Sequence, residues 1–258
     1  MMIARAGELL QRLIARRKKR STGICVLGMH RSGTSFVTGS LQSAGAALHR
    51  FHSHNPFNLK GNRENPDIVA LNDDVLHASG GSWDRPPPTV QWQPEHHERA
   101  EEILESLSVY PVWAFKDPRT LLTIEGWEEH VPDLQYVGIF RHPARVMRSL
   151  NSRDRMISLE AGELLWQVYN RRLLALRQRH TFPLLCFDVA TDVLMRQLQA
   201  VCSELGLDSK RATDFFDGSL VNQSTENDSP DQVMSESSLA LYEELQQYCG
   251  LTSTSEVP

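Results

Sequence analysis

Two glycines five residues apart, a run of hydroxyls and one full cation make Gly28-Met29-His30-Arg31-Ser32-Gly33-Thr34-Ser35 the most chemically loaded stretch of the chain. The apolar run Ile24 to Gly28 precedes it and reads as a short buried strand; Val37, Leu41 and Ala44 follow at helical spacing, with Gly45 as the stop. Strand, tight loop and helix in that order cradle an anion. Glycine lets the chain curl round an oxyanion, backbone N–H groups converge inside the turn, and the helix N-terminus adds partial positive charge. His30, Arg31, Ser32, Gly33, Thr34 and Ser35 are therefore the candidate anion-binding residues. The glycine spacing equals that of a nucleoside-triphosphate loop, but Thr34 stands where that loop carries the lysine for the β- and γ-phosphates. An adenosine donor with a 5′ phosphate and no triphosphate fits better than ATP.

Two more strand candidates end in cations. Val112 to Phe115 runs into Lys116-Asp117-Pro118-Arg119, and Leu134 to Phe140 runs into Arg141-His142-Pro143, where Pro143 opens a helix. In an open α/β domain the carboxyl ends of the strands form the ligand edge, so both cations fall on it. Arg141 presents a planar fork of donors suited to a phosphate, and Ser149, two turns into the following helix, brings a hydroxyl beside it.

These stretches resemble the sulfotransferase family, whose donor is 3′-phosphoadenosine 5′-phosphosulfate. The family's loop for the 5′ phosphosulfate commonly reads Arg or Lys, Ser, Gly, Thr, Ser or Thr, and this chain has Arg31-Ser32-Gly33-Thr34-Ser35. The family also carries an arginine at the end of a later strand and a serine eight residues on, matched by Arg141 and Ser149. The resemblance covers roughly residues 22–206. It implies a P-loop nucleoside-triphosphate-hydrolase-like sulfotransferase fold, with Arg141 and Ser149 at the 3′ phosphate of the donor. A Lys-Asp-Pro stretch like Lys116-Asp117-Pro118 occurs in tyrosine-, carbohydrate- and some bacterial-type members. There the lysine looks to the transferring group, offsetting charge on the bridging oxygen as the S–O bond breaks. Arg31 is expected to help orient the sulfuryl group. Glu64, in Gly61-Asn62-Arg63-Glu64-Asn65-Pro66, matches a glutamate of the comparable segment and is the first candidate for the base that takes the acceptor's proton.

Asp73, Asp74, His49, His52 and His54 are the runner-up bases. The close histidine spacing, with His52 and His54 two residues apart, invites a metal reading, yet Asn55-Pro56 and Gly61 make a loop there, and no cysteine or carboxylate completes four ligands, so no metal is expected. Arg119 is expected to hold Asp117 or an acceptor. Trp83, in a stretch that resembles the acceptor side of some bacterial members, is placed to stack on a sugar or ring. Two departures separate the chain from the cytosolic small-molecule type. It has Arg31 where that type usually has lysine, and it lacks the glycine-rich Arg-Lys-Gly segment that closes over the 3′ phosphate.

The elements that must position these groups follow from hydropathy. Pro183 starts a further strand, Leu184 to Phe187; Leu165, Tyr169, Leu173 and Leu176 mark a long helix; Leu194, Leu198, Val201 and Leu205 mark another, with Gly206 just past its end. Repeated strand and helix argue for a three-layer α/β/α fold around a central, mostly parallel sheet. Residues 49–99 interrupt that rhythm with Gly80-Gly81 and Pro86-Pro87-Pro88, although Ile68 to Leu76 has the pattern of a short helix. This irregular insertion is expected to wall the acceptor side. Leu241, Leu245 and Tyr248 suggest a last amphipathic helix.

The chain has 258 residues and a formal net charge of -5, which excludes a globally basic nucleic-acid coat. Charge is uneven. Residues 1–20 carry seven Lys or Arg and read as a basic helix or arm with weak peripheral affinity for a membrane, whereas 217–235 is acidic and polar. The working domain is then 21–258. Cys25, Cys186, Cys202 and Cys249 show no paired spacing and read as small core hydrophobes of a reducing compartment. With no apolar run near the roughly 20 residues that span a bilayer, a cytoplasmic protein is expected. The expected activity is sulfuryl transfer from 3′-phosphoadenosine 5′-phosphosulfate to a hydroxyl-bearing small molecule or glycan. Adenosine 3′,5′-bisphosphate is the second product, and no nucleic acid takes part. The alternatives are a nucleotide-binding scaffold without turnover and an atypical P-loop kinase.

Overall fold

The structure, a computed structural model, describes residues 21–51, 61–153, 157–216 and 234–249. Its sheet is built from β1 (Thr22–Leu27), β2 (Val112–Lys116), β3 (Gln135–Phe140) and β4 (Leu184–Cys186), in the spatial order β2-β1-β3-β4 and parallel throughout. All four strand regions expected from hydropathy are present, with ends moved by a residue or two. Alternation of side chains across the pleat sorts their apolar residues into two cores. Ile24, Val26, Ala114, Val137, Ile139 and Leu185 point to one face, and Cys25, Leu27, Trp113, Phe115, Phe140 and Cys186 to the other. A strand must be apolar on both sides to serve two cores, which is why these segments read as continuous apolar runs.

Helices cover both faces. On the first lie α1 (Thr34–Ser43), buried through Val37 and Leu41, and α7 (Thr191–Glu204), buried through Leu194, Leu198 and Val201. The second, larger core is covered by α2 (Pro66–Ala78), α3 (Pro94–Leu107), α4 (Thr120–His130), α5 (Pro143–Arg153), α6 (Leu159–Arg179) and α8 (Glu236–Gln247). The three layers expected from the sequence are thus formed. Sequential strands lie on opposite sides of β1, so the crossovers diverge at its carboxyl end and leave a crevice there.

The stretch 49–99 is more regular than its prolines and glycines suggested. Asn65 caps α2 by accepting the Asp67 N–H at 2.9 Å, with Pro66 at the first helical position, where its missing N–H costs nothing. The sequence pattern passed over α3 because the apolar set that buries it, Ala100, Ile103, Leu104 and Leu107, begins well after the Pro94 that starts it. Helix α4, buried through Leu121, Leu122, Ile124 and Trp127, also went unread between two strands. The N-terminal arm lies outside the described residues, as does the acidic segment except for Met234 and Ser235, the latter capping α8.

Where α4 meets the residues before α3, Gly126 lies against the Trp92 ring; a Cβ built there falls 2.2 Å from it. Gly126→Ala is therefore expected to destabilise the fold by about 1–3 kcal/mol through overpacking, despite alanine's better helix propensity. Thermal denaturation checks this, and an unchanged or raised midpoint would contradict the close approach.

Candidate functional site

At the carboxyl end of β1 the chain turns through the glycine loop into α1. Gly33 is left-handed, φ 96°, and a Cβ on it would fall 2.4 Å from the Phe187 ring, so both backbone and space require glycine. Arg31 is left-handed too, φ 66°. Ser32 is fully buried, and its hydroxyl has no hydrogen-bond partner. A buried hydroxyl left unpaired costs on the order of 1–3 kcal/mol, and such a group beside a helix N-terminus suits an oxyanion ligand. The loop residues thus fit the phosphate end of a nucleotide donor.

Three expected residues from separate elements meet on one flank of this loop. The Arg31 guanidinium donates through Nε to Ser149 Oγ at 2.8 Å, and Arg141 Nη1 lies 3.5 Å from the Arg31 carbonyl oxygen. Arg31 therefore stands with Arg141 and Ser149. Asp188, two residues past the end of β4, organises this flank. Its Oδ1 lies 3.7 Å from Arg141 Nε and accepts from Arg145 Nη1 at 3.0 Å, while Oδ2 accepts the His142 N–H at 2.5 Å. Trp166 Nε1 donates to the Arg141 carbonyl at 3.0 Å, and the Arg141 guanidinium sits over the Phe187 ring, 5.1 Å from its centroid. The arginine is held on three sides with its fork toward the loop.

A second cluster occupies the other flank, at the end of β2. Lys116 is 2% exposed, and its Nζ donates to Glu64 Oε1 at 2.7 Å and to Ser35 Oγ at 3.2 Å. Ser35 in turn donates to the Asn62 carbonyl at 3.0 Å, so the first turn of α1, the segment before α2 and the strand end are tied together. Beside Glu64, Arg63 adopts φ 56° and places its guanidinium over the Phe51 and Phe215 rings, 5.1 and 4.5 Å from their centroids. Burial lowers its pKa, and this packing fixes the turn that presents Glu64.

Behind Lys116 lies a network in which Arg119 holds Asp117, as expected, and to which Asn72, not read from the sequence, is central. Asp117 is completely buried, accepting from Asn72 Nδ2 and Arg119 Nη1, each at 2.9 Å. Burial raises its pKa, Arg119 and the Asn72 amide oppose that, and the nearby Glu64 carboxylate adds to it. Arg119 also binds Asp73 Oδ1 at 2.6 Å. Burial would lower the arginine's pKa, but the two aspartates together raise it. Asn72 completes its valences by donating to Thr120 Oγ1 and accepting from Thr123 Oγ1 and Trp127 Nε1. Its apolar neighbours on α2 hid it, because a single asparagine in a helix carries no signal in the sequence.

The other candidates separate. Asp73 belongs to Arg119, and Asp74 pairs with Arg99 on the outer surface. His49 is exposed with its ring 6.3 Å from that of Tyr110, near the opposite end of β2 from Lys116, and His52 and His54 lie outside the described residues. Trp83 packs near the loop, its ring centroid 4.7 Å from that of His30, and its carbonyl accepts from the buried Tyr169 hydroxyl at 2.9 Å. Among the described residues no group of three or more His, Cys, Asp or Glu is arranged to hold a metal, and no helix is long and apolar enough to cross a membrane.

Comparison with known proteins gives one match to a protein family, described as the sulfotransferase family, over residues 23–210. No curated protein matches the sequence. Among solved structures, the sulfotransferase domain of the olefin synthase from Synechococcus PCC 7002 superposes with a TM-score of 0.53 at 16% identity, covering 92% of this chain and 96% of that one. It shares the fold. Looser matches are sulfotransferase STF1 from Mycobacterium tuberculosis, with a TM-score of 0.43 at 14% identity and coverage of 79% and 74%, and a retinol dehydratase solved with androsterone and the inactive cofactor PAP, with a TM-score of 0.37 at 13% identity and coverage of 75% and 62%.

Asn72→Ala strips a buried partner from Asp117, Thr123 and Trp127 at once, and is expected to cost about 3 kcal/mol of stability. Urea denaturation reads this directly, and a loss below about 0.5 kcal/mol, the size of an ordinary surface change, would show the network to be dispensable.

Proposed function

The chain belongs to the sulfotransferase family, and from that membership we propose that it moves a sulfuryl group from 3′-phosphoadenosine 5′-phosphosulfate to the hydroxyl of an alcohol, phenol or glycan. Sulfuryl transfer in general follows from the family. The donor and the class of acceptor are the further step. The observation that carries it is the meeting of Arg31, Arg141 and Ser149 beside a glycine loop whose other flank holds Lys116 and Glu64. This reading puts one phosphate at the helix N-terminus and the other beside Arg31, Arg141 and Ser149, as a nucleotide phosphorylated at both 5′ and 3′ positions requires. In this reading His30, Ser32, Gly33, Thr34 and Ser35 cradle the 5′ phosphosulfate, while Arg31, Arg141 and Ser149 receive the 3′ phosphate. Asp188 acts through Arg141 as a positioning residue.

The donor, when bound, supplies the activated sulfuryl group and a phosphate leaving group. The chain's own part is placement and charge. Glu64 takes the acceptor's proton as the new S–O bond forms. Lys116, bridging Glu64 and Ser35, faces the oxygen on which negative charge collects when the old S–O bond breaks. The products are a sulfate ester, adenosine 3′,5′-bisphosphate and the proton held by Glu64. Arg31, expected to orient the sulfuryl group, is assigned to the 3′ phosphate instead, because its side chain turns to Ser149. Trp83 and His30 border the acceptor side and give it an aromatic wall. Residues 1–20, outside the described region, keep their proposed weak membrane affinity, and a cytoplasmic location remains part of the proposal.

Calorimetry with adenosine 3′,5′-bisphosphate, adenosine 5′-phosphate and ATP tests the donor. The doubly phosphorylated nucleotide is expected to bind tightest. Arg141→Ala should weaken it by roughly 10- to 100-fold, the worth of a charge-assisted contact, with little effect on adenosine 5′-phosphate. Equal loss for both would remove Arg141 from the 3′ phosphate. For Glu64→Gln, turnover on a panel of alcohols, phenols and sugars should fall by about 10²- to 10⁴-fold, the usual contribution of a general base, while nucleotide affinity stays within about threefold, well under one tenfold step of 1.4 kcal/mol. An unchanged rate would discard Glu64 as the base and return the choice to Asp73.

A further inference from the structure

Two of the four cysteines, unremarkable in the sequence, come together in the fold. Cys186 is the last residue of β4 and is buried; Cys249 follows α8 and is half-buried. After α8 the chain returns to the sheet edge, where Cys249 pairs with Leu184 in a parallel bridge. Leu184 and Cys186 face the same core, to which Cys249 also packs, so the bridge makes the two cysteines diagonal neighbours on one face of the sheet edge, and each thiol is the largest influence on the other's pKa. Tyr242 of α8 approaches the same sulfur, its hydroxyl 3.5 Å from Cys186 Sγ and 3.4 Å from Asp188 Oδ2. Cys186 therefore touches, through one tyrosine, the carboxylate that holds Arg141 and Arg145. The next residue, Phe187, is the ring beneath Gly33 and the Arg141 guanidinium. A covalent change at Cys186 is one or two residues from the proposed 3′-phosphate site.

We propose that Cys186 and Cys249 form a reversible disulfide that loosens the Arg141–Asp188 flank and weakens nucleotide binding. Cys25 and Cys202, the other described cysteines, are buried and have no such part. The chemistry needs a two-electron oxidant, for which hydrogen peroxide suffices. The Cys186 thiolate attacks one peroxide oxygen; an S–O bond forms as the O–O bond breaks, and the departing hydroxide takes up a proton to become water. Cys249 then attacks the sulfenic sulfur, an S–S bond replaces the S–O bond, and a second water leaves with the Cys249 proton. Two thiols are oxidised and one peroxide is reduced. The Cys249 hydrogen bond favours the thiolate, burial opposes it, the Tyr242 hydroxyl assists, and the net result brings the Cys186 pKa down to about 7. Bonded sulfurs sit far closer than hydrogen-bonded ones, so closure draws Cys186 toward Cys249 and away from Tyr242, with Phe187 and Asp188 following along the chain.

The formation of the bond stands on the cysteine geometry alone, whereas its effect on the nucleotide rests on the donor reading above. The test treats the full chain with hydrogen peroxide, maps peptides by mass spectrometry before and after dithiothreitol, and titrates each sample with adenosine 3′,5′-bisphosphate. The expected result is a 186–249 cross-linked peptide that dithiothreitol abolishes, with affinity about tenfold lower in the oxidised sample, the size of one weakened charge-assisted contact. Cys249→Ser should bind like the reduced wild type and resist peroxide. Absence of the cross-link overturns the proposal, as does equal loss of affinity in wild type and Cys249→Ser, or a cross-link that leaves affinity unchanged. If the reduced wild type fails to bind the nucleotide yet still cross-links, the donor reading falls with the coupling, and only the disulfide remains.

Discussion

A lysine ammonium with 2% of its side chain exposed is tolerable only when its charge is met. Lys116 meets it through Glu64 and Ser35, and most of the site's shape follows from that need. Glu64 has to be brought up to the end of β2, so the chain ahead of α2 is drawn against the first turn of α1. The Asn65 cap and Pro66 then launch α2 along the sheet face, and two turns later Asn72 and Asp73 reach back to Asp117 and Arg119. The same helix thus starts next to one residue of the Lys-Asp-Pro stretch and ends its contact on the others. A buried charge whose two partners come from two other segments is a weak source of stability, but it leaves little freedom in how those segments and its own strand are arranged.

The two flanks of the glycine loop solve different electrostatic problems. On the Arg141 flank the described groups include Arg31, Arg141, Arg145 and Asp188. Asp188 pairs with Arg141 and Arg145 while Arg31 turns to Ser149, so an incoming dianion meets arginines already oriented, Arg141 among them held by Trp166 and Phe187. On the Lys116 flank Glu64, Asp73 and Asp117 balance Lys116 and Arg119, and the corner is close to neutral or slightly acidic. Such a division suits a reaction in which one substrate is a polyanion and the other gives up a proton. A uniformly cationic cleft would hold the nucleotide as well, but it would leave no carboxylate within reach of the acceptor.

The C-terminal helix links this division to the far edge of the sheet. Its Tyr242 hydroxyl stands between Asp188 and Cys186, with the Phe140 ring 5.6 Å and the His142 ring 4.9 Å from its own. The helix is thus part of the wall behind Arg141, and any force on Cys249 is delivered to the sheet edge at β4.

Several parts of this arrangement were legible in the residue order. The glycine loop, the cations at the ends of β2 and β3, the parallel sheet and the long helices could be read because each depends on local pattern: apolar runs for strands buried on both faces, period 3.6 for helices, glycine where φ must be positive. Helices α3 and α4 escaped, one because its apolar set starts late, the other because it follows its strand with little punctuation. Side-chain partnerships between distant elements escaped altogether. That Arg31 turns to Ser149, that Asp188 serves Arg141, that Asn72 anchors Asp117, and that Cys249 returns beside β4 are facts about which residues the crossovers bring to one edge. Sequence by itself determined which chemical groups are available and on which strand ends they sit; the tertiary structure decided which of them touch, because hydrogen bonds and ion pairs act over a few ångströms in space and leave no period along the chain.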